Sequence, residues 1–422
     1  MYPPSRTPQR WPLLRSPNFR FFALGQTASN TGTWIQKVAQ DWLALELSHG
    51  NGTVLGITTA LQFLPLLVLG PYGGVLVDRH STRRILLASQ TVMAALALIP
   101  ALLVATGAAR LDALYVLALA LGFTMVVEKP ALQAFIGESV APSQLVSALA
   151  FNSAVLNLAR MAGPALAGPL IVLFGPGPAF LANTLSYLTV IVCLLRMDPR
   201  VGRPAPPLPR AKQQVREGLR YVRHHRELSL TLTLVAVVAA FGMNFQITTA
   251  LMITRVYHAP AAVFGLGNTA LAAGSVIGSL LAARHPHVTG RRLAAAALAF
   301  GTLETACALM PGPVTFLVLL VPTGTALLLF LTAAKARLQL GTGEGLRGRI
   351  MSLYLLATLG TTPLVAPLIG WTAQSAGPRT ALALGGAASA AAALTIGLLH
   401  PRPPTPLKTG PHPVASPQPR IN

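Results

Sequence analysis

Long apolar stretches recur along the chain, separated by short polar breaks. Residues 47–77 and 85–109 contain no Asp, Glu, Lys or Arg, and further charge-free runs cover 161–195, 228–254, 256–283, 305–334, 350–378 and 380–401. A bilayer core takes about 20 apolar residues in a helix. The 161–195 run holds a Gly-Pro-Gly-Pro turn at Gly175–Pro178, between the ends of two such helices. With the less clean segments added, the pattern predicts twelve helices, near 18–46, 53–76, 85–107, 113–136, 147–173, 178–196, 228–254, 262–283, 293–310, 313–335, 350–374 and 379–400.

The helices fall into two groups of six, 18–196 and 228–400, joined by a basic segment at 197–227. That segment opens with Pro199, Pro204, Pro206, Pro207 and Pro209. Val215, Leu219 and Val222 then recur at helical spacing, which predicts an amphipathic helix on the membrane surface. A polar N-terminal segment (1–17) and a Pro-rich tail (401–422) flank the bundles, and no removed signal peptide is expected, because no apolar core precedes a small-residue cleavage site. The halves repeat weakly. Gly74 with Arg83-Arg84 is echoed by Gly278 with Arg291-Arg292, although Ala282 stands where the first copy has Asp78. The expected architecture is an all-α membrane protein with twelve transmembrane helices in two pseudo-symmetric bundles. Such symmetry suits a transporter with its site at the interface of the halves.

Composition agrees. Charged residues make up only 10% of the chain and hydrophobic ones 53%, whereas a soluble domain carries about 25% charged residues. A net charge of +21 raises the question of nucleic acid. The placement of the charge answers it. Only Arg110, Arg255 and Arg379 fall on one set of loops, and Lys37, Lys129 and Arg160 fall inside spans. All other basic residues lie on the side of the N-terminus. The positive-inside rule then places both termini in the cytoplasm, with no nucleic-acid partner. Cys193 and Cys307 lie in apolar spans and read as small packing residues. No metal site or cofactor is expected.

A charged break at Gly74-Val75-Leu76-Val77-Asp78-Arg79-His80-Ser81-Thr82-Arg83-Arg84 lies between two spans. It resembles the loop between helices 2 and 3 of the major facilitator superfamily, which reads Gly-x-x-x-Asp-Arg/Lys-x-Gly-Arg/Lys-Arg/Lys. Gly74, Asp78, Arg79 and Arg83 match, while Ser81 replaces the second Gly and Thr82 a basic residue. Gly163-Pro164 followed by Gly168-Pro169 resembles the Gly-Pro motif that exporters of the superfamily carry in helix 5. The run Glu128-x-Pro130-Ala131-x-Gln133-Ala134-Phe135, then Asn157-Leu158-Ala159-Arg160, and Arg347-Gly348-Arg349-x-Met351-Ser352 resemble the drug/proton antiporter branch that contains macrolide-efflux proteins and the enterobactin exporter. The resemblance implies a secondary exporter in the cell membrane, monomeric, with a small organic substrate and protons as the coupling ion. It also implies a gate in which Asp78 caps the inner end of helix 11 while Arg79 and Arg83 add ion pairs across the inner face.

Charges inside a bilayer cost roughly 2.5–3.5 kcal/mol each on insertion scales, so each needs a reason. Helix 1 carries Gln26, Asn30, Thr33, Lys37 and Asp41 at spacings that form one polar face. This is either a cavity-lining stripe or a structural ion pair. Helix 4 carries Glu128-Lys129-Pro130, and the proline frees a backbone carbonyl beside the carboxylate. Helix 5 carries Ser153, Asn157, Arg160 and Pro164 on one face, so Glu128 and Arg160 are expected to meet, in a cavity or as a buried bridge. Glu304 in helix 9 has no basic neighbour in sequence. It is either protonated, paired with another helix, or part of coupling.

No His-Glu-x-x-His, Gly-x-Ser-x-Gly or phosphate-cradling Gly-x-x-x-x-Gly-Lys-Ser/Thr run is present, which argues against an enzyme or an ATP-driven pump. A lipid flippase or an importer on the same fold is the alternative. Those need a lateral opening or the opposite direction of coupling.

Overall fold

The computed structural model describes residue 13 and residues 16–198, 220–284, 289–342 and 346–399. The N-terminal segment, the start of the central segment with most of its expected amphipathic helix, and the Pro-rich tail fall outside the described residues. Helices occupy all the stretches that the hydropathy pattern marks. In chain order they are α1 (Pro17–Leu47), α2 (Gly52–Arg79), α3 (Thr82–Ala105), α4 (Leu111–Ser139), α5 (Leu145–Phe174) and α6 (Gly177–Arg196). The second half has α7 (Arg226–Val256), α8 (Ala261–Ala283), α9 (Gly290–Ala308), α10 (Pro313–Leu340), α11 (Arg347–Leu359 continued by Thr362–Ser375) and α12 (Pro378–Leu399). Ten of these, among the described residues, are long and apolar enough to cross a membrane. The other two, α1 and α9, carry the extra charges, among them Lys37, Asp41 and Glu304.

The ends follow capping chemistry. The Asn51 side chain accepts from the Thr53 N–H at 2.9 Å, starting α2, and the Thr289 side chain accepts from Arg292 N–H at 3.3 Å, starting α9. Ser16 precedes Pro17 at the first position of α1, where a missing N–H costs nothing. Gly175 closes α5 with φ of 76°, a conformation open to glycine.

The two halves pack alike. In the first, α1 lies against α5 and α6, α2 against α4, and α3 against α4 and α6. In the second, α7 lies against α11 and α12, α8 against α10, and α9 against α10 and α12. Shifting each number by six turns one list into the other. The halves meet through two equivalent pairs, α2 with α11 and α5 with α8.

Because successive helices are antiparallel, connections alternate between two faces. One face carries the α2–α3 and α4–α5 connections and the basic loops; it is called the basic face below. The contacts between halves start at the opposite face and run to the middle. Gly52 abuts Gly370, Gly56 abuts Ala366, Gly168 abuts Ala262, and the Thr269 hydroxyl donates to the Met161 carbonyl at 3.0 Å. One apolar core, with Leu45, Leu55, Ile171, Leu251, Phe264 and Ile369 among its members, spans both halves there. At the basic face the first half has a separate core of Phe19, Phe22, Val77, Leu86, Phe135 and Leu194, with no described residue from the second half. Val146 and Leu355, on the basic-face parts of α5 and α11, are exposed. The bundle is therefore closed at the opposite face and parted at the basic face.

Candidate functional site

The polar stripe of α1 points into the first half. Lys37 Nζ lies 3.6 Å from Asp41 Oδ1, and only 2% of the Asp41 side chain is exposed. Lys37 also donates to Gln62 Oε1 at 3.3 Å, which Gln40 Nε2 approaches at 3.5 Å. One position earlier, Gln36 Oε1 accepts from Asn183 Nδ2 at 2.6 Å, and the Ser186 hydroxyl donates to Asn183 Oδ1 at 2.8 Å. Thr33 and Tyr187 share a hydrogen bond of 3.2 Å. Gly32 permits this, since a Cβ there would strike Asn183 and Ser186. Asn30 bonds back to the Gln26 carbonyl at 2.8 Å. The expected Lys37–Asp41 pair is formed beside a network of amide hydrogen bonds, while Asp41 Oδ1 itself is buried and accepts no hydrogen bond.

The expected contact between Glu128 and Arg160 is not made. Glu128 Oε2 lies 3.5 Å from Lys129 Nζ, its neighbour in sequence. Arg160 instead places its guanidinium 5.5 Å from the centre of the Trp34 ring, a cation–π contact. The reason is α1. It packs against α5 and offers Arg160 an aromatic face, while the carboxylate of Glu128 turns inward beside Lys129. Glu128 is buried, whereas 53% of the Lys129 side chain is exposed. An ammonium at mid-span cannot face lipid tails without a large cost. Asn157 is half-buried on the same helix as Arg160.

The Gly-Pro motif of α5 lies where the halves meet. Gly163 packs on Trp34 and the Thr31 carbonyl of α1, and Gly168 packs on Ala261 and Ala262 of α8. Gly265 of α8 returns the contact, against the Pro164 carbonyl and Gly168. Small residues let the backbones approach.

The charged loop is held within its own half. Arg83 donates to the Leu194 carbonyl at 2.7 Å and the Leu195 carbonyl at 3.3 Å, capping the open end of α6. With the basic face parted, the nearest acceptors for Arg83 are the end carbonyls of α6; the ion pairs expected of Arg79 and Arg83 across the inner face are those of the outward-open state. Arg79 is exposed, and a Cβ on Gly74 would meet nothing. The Asp78 and Arg347 side chains lie outside the described residues. Thr82, which departs from the superfamily pattern, is buried and donates to Glu138 Oε2 at 2.5 Å, tying α3 to α4.

In the second half, α7 is broken. Its α-helix stops at Val237, passes through a π-helical turn at Val238–Gly242, and resumes at Phe245. Glu304 of α9 fills the space beside the break. A Cβ on Gly242 would lie 2.9 Å from Glu304 Oε2, and one on Gly385 of α12 would lie 3.1 Å from Oε1. Glu304 is 2% exposed, and Oε2 has no hydrogen-bond partner.

Residues 9–408 match the family described as transmembrane secretion effectors. The chain belongs to that family of major facilitator transporters. The chain is 24% identical to macrolide efflux protein A of Streptococcus pyogenes, over 76% of its own length and 82% of that protein's. It is 23% identical to the staphyloferrin A transporter of Staphylococcus aureus (strain NCTC 8325 / PS 47), over 59% of this chain and 63% of that one. The match to that transporter thus spans less than two thirds of its length. Among solved structures, a nucleoside transporter has a TM-score of 0.72 at 11% identity, covering 91% of this chain and all of the other. A bacterial Spinster homologue in an inward-facing, unoccupied conformation has a TM-score of 0.69 at 14% identity, covering 91% and 95%. These likenesses show the fold. The chain is a multi-pass membrane protein of that transporter family.

Sequence reasoning missed Gln36, Gln40, Gln62, Asn183 and Tyr187 as partners of the α1 stripe, and Gly242–Asn244 as a helix break. The signals were faint but present. Gln62 and Asn183 are amides inside charge-free runs, and Gly242-Met243-Asn244 interrupts another.

Proposed function

We propose that this protein is a proton-coupled exporter of small organic molecules of drug, macrolide or siderophore type, working by alternating access. All twelve helices cross the cell membrane, with the basic face and both termini in the cytoplasm, and the protein acts as a monomer. The observation that carries the reading is the pairing of the halves. They touch from the opposite face to the middle through the two equivalent helix pairs, and are parted at the basic face. That arrangement admits a cytoplasmic substrate to the gap between the halves. Rocking about the same glycine-lined pairs would close the basic face, where Gly74, Asp78, Arg79 and Arg83 would then reach the other half. The Gly163, Pro164 and Gly168 contacts are the pivot. Coupling and cavity roles fall among Glu128, Arg160, Asp41, Lys37, Glu304, Asn157 and Asn30. The efflux and siderophore transporters among the relatives support the substrate class.

The test is uptake of a panel of drugs, dyes and siderophores into inverted membrane vesicles, with and without an imposed pH gradient. Gradient-dependent accumulation is the expected result. Accumulation without the gradient, or none in vesicles that contain folded protein, would favour a flippase or an importer.

A further inference from the structure

Three carboxylates lie within the helices of this transporter away from their ends: Asp41, Glu128 and Glu304. Two have a cation at hand, Asp41 with Lys37 at 3.6 Å and Glu128 with Lys129 at 3.5 Å. Each of these pairs is neutral as a unit while ionised, and taking up a proton would strand a lysine charge. Glu304 differs. Among the described residues no Lys, Arg or His nitrogen lies within 4 Å of it.

The elements around Glu304 confirm its isolation. From α7 it meets Gly242, and Phe241 lies at the same place against Gly385. From α12 it meets Gly385, with Ser389 beside Gly242, and the Ser389 hydroxyl already donates to the Gly385 carbonyl at 2.9 Å. On α9 itself Phe300 packs against Gly242, and the titratable neighbour is Cys307, whose thiol sits 3.5 Å from Thr323 Oγ1 of α10. The charged residues of these elements lie toward helix ends: Arg226, Glu227 and Arg255 on α7, Arg291 and Arg292 on α9, Lys335 and Arg337 on α10, and Arg379 on α12. Glu227 pairs with Arg337 at 2.8 Å, and Arg255 and Arg379 bond to Gln374 and to the Met310 carbonyl. An isolated buried carboxylate in apolar surroundings takes a proton rather than remain charged.

We infer that Glu304 is the seat of the coupled proton: it is a neutral acid in this basic-face-open state, wedged between Gly242 and Gly385, and it exchanges its proton with water when the break in α7 moves away from α12. The step is a simple gain and loss of a proton by one carboxyl oxygen, taken from water on one side and released to water on the other. The π-helical turn supplies the movement. Its backbone is already out of α register, so straightening or shifting Val238–Gly242 relative to α12 breaks no regular helix. Gly242 and Gly385 leave no side chain between the carboxyl and the moving backbone. Asp41–Lys37 and Glu128–Lys129 then serve as ion pairs that shape and charge the first half.

This inference rests on the proposed proton coupling, and its test separates the two. Spin labels are placed at Glu46 and Ala376, on the two halves at the opposite face, and the distance distribution is followed from alkaline to acid pH in lipid nanodiscs. In the otherwise wild-type protein a pH-dependent shift is expected. Glu304→Gln, which mimics the neutral acid, should lose that response and hold one distribution at all pH values, while Glu304→Asp keeps it. A full response in Glu304→Gln would overturn the assignment to Glu304 and leave proton coupling standing. No response in the parent protein would overturn both. Infrared difference spectra, parent minus Glu304→Gln at neutral pH, add a direct reading. A protonated-carboxyl band present in the parent and missing from the variant is expected; its absence from the parent would mean an ionised Glu304 and would overturn the inference even if the variant fails to switch.

Discussion

Gln374 of α11 holds Gly52 of α2 across the two halves: its Oε1 accepts the Gly52 N–H at 3.1 Å. The same oxygen accepts from Arg255 of α7 at 2.7 Å. One side-chain amide thus fastens the opposite face. A bond of this kind contributes about 1 kcal/mol, which changes a two-state ratio about fivefold. Gln374→Ala should raise the open population at the opposite face by about that factor. Reactivity of a cysteine placed at Ala376 toward a membrane-impermeant maleimide checks this; unchanged reactivity would remove Gln374 from the closure.

Gly265→Val should act more strongly and on the other helix pair. A Cβ there would strike the Pro164 carbonyl and lie 3.2 Å from Gly168. Overpacking costs about 1–3 kcal/mol, enough to shift the balance of states about 5- to 150-fold away from the closed opposite face. Transport should fall while the amount of protein in the membrane stays the same. Normal transport by this variant would mean that α5 and α8 do not need to close at this point.

Much of this architecture was legible in the sequence, and the reasons can be stated. The spans follow from charge-free runs, because a bilayer imposes length and apolarity on every crossing helix. Lys37–Asp41 was legible because its spacing puts both residues on one helix face. The partner of Arg160 was not, because it depends on which face of α1 meets α5. Trp34 is apolar and gives no hint in sequence that it receives a cation. The break in α7 was also hidden. Gly242 reads as one more glycine in an apolar run, and only the fold brings Glu304 against it. Tertiary partners across 60 residues of chain or more leave no periodic trace.

The Lys37–Asp41 pair should also hold the first half together. Asp41→Asn leaves an ammonium with Gln62 as its remaining partner, and Lys37→Met leaves a buried carboxylate. Breaking a buried pair from one side costs roughly 3 kcal/mol. Each single variant should lower the unfolding temperature in detergent, and Lys37→Met combined with Asp41→Leu should recover part of the loss. Single variants as stable as the parent would show that the pair is not needed for folding.

Thr82→Val should loosen the basic face. It removes the donor to Glu138 and separates α3 from α4 at that end. A hydrogen bond to a charged group contributes about 1.5–3 kcal/mol. Amide exchange in the first turn of α3 should speed up, with little change in α6. Equal exchange in variant and parent would mean that Thr82 only fills space.

Alternation of the two faces is the central claim, and paired distances test it most directly. One pair of spin labels goes at Glu46 and Ala376, on the opposite face, and a second at His80 and Arg284, on the basic face. Across a pH change in lipid nanodiscs, the first distance should lengthen as the second shortens, because both report one rocking motion about the α2–α11 and α5–α8 contacts. Two distances that lengthen together, or a basic face that stays parted while the opposite face opens, would contradict alternating access.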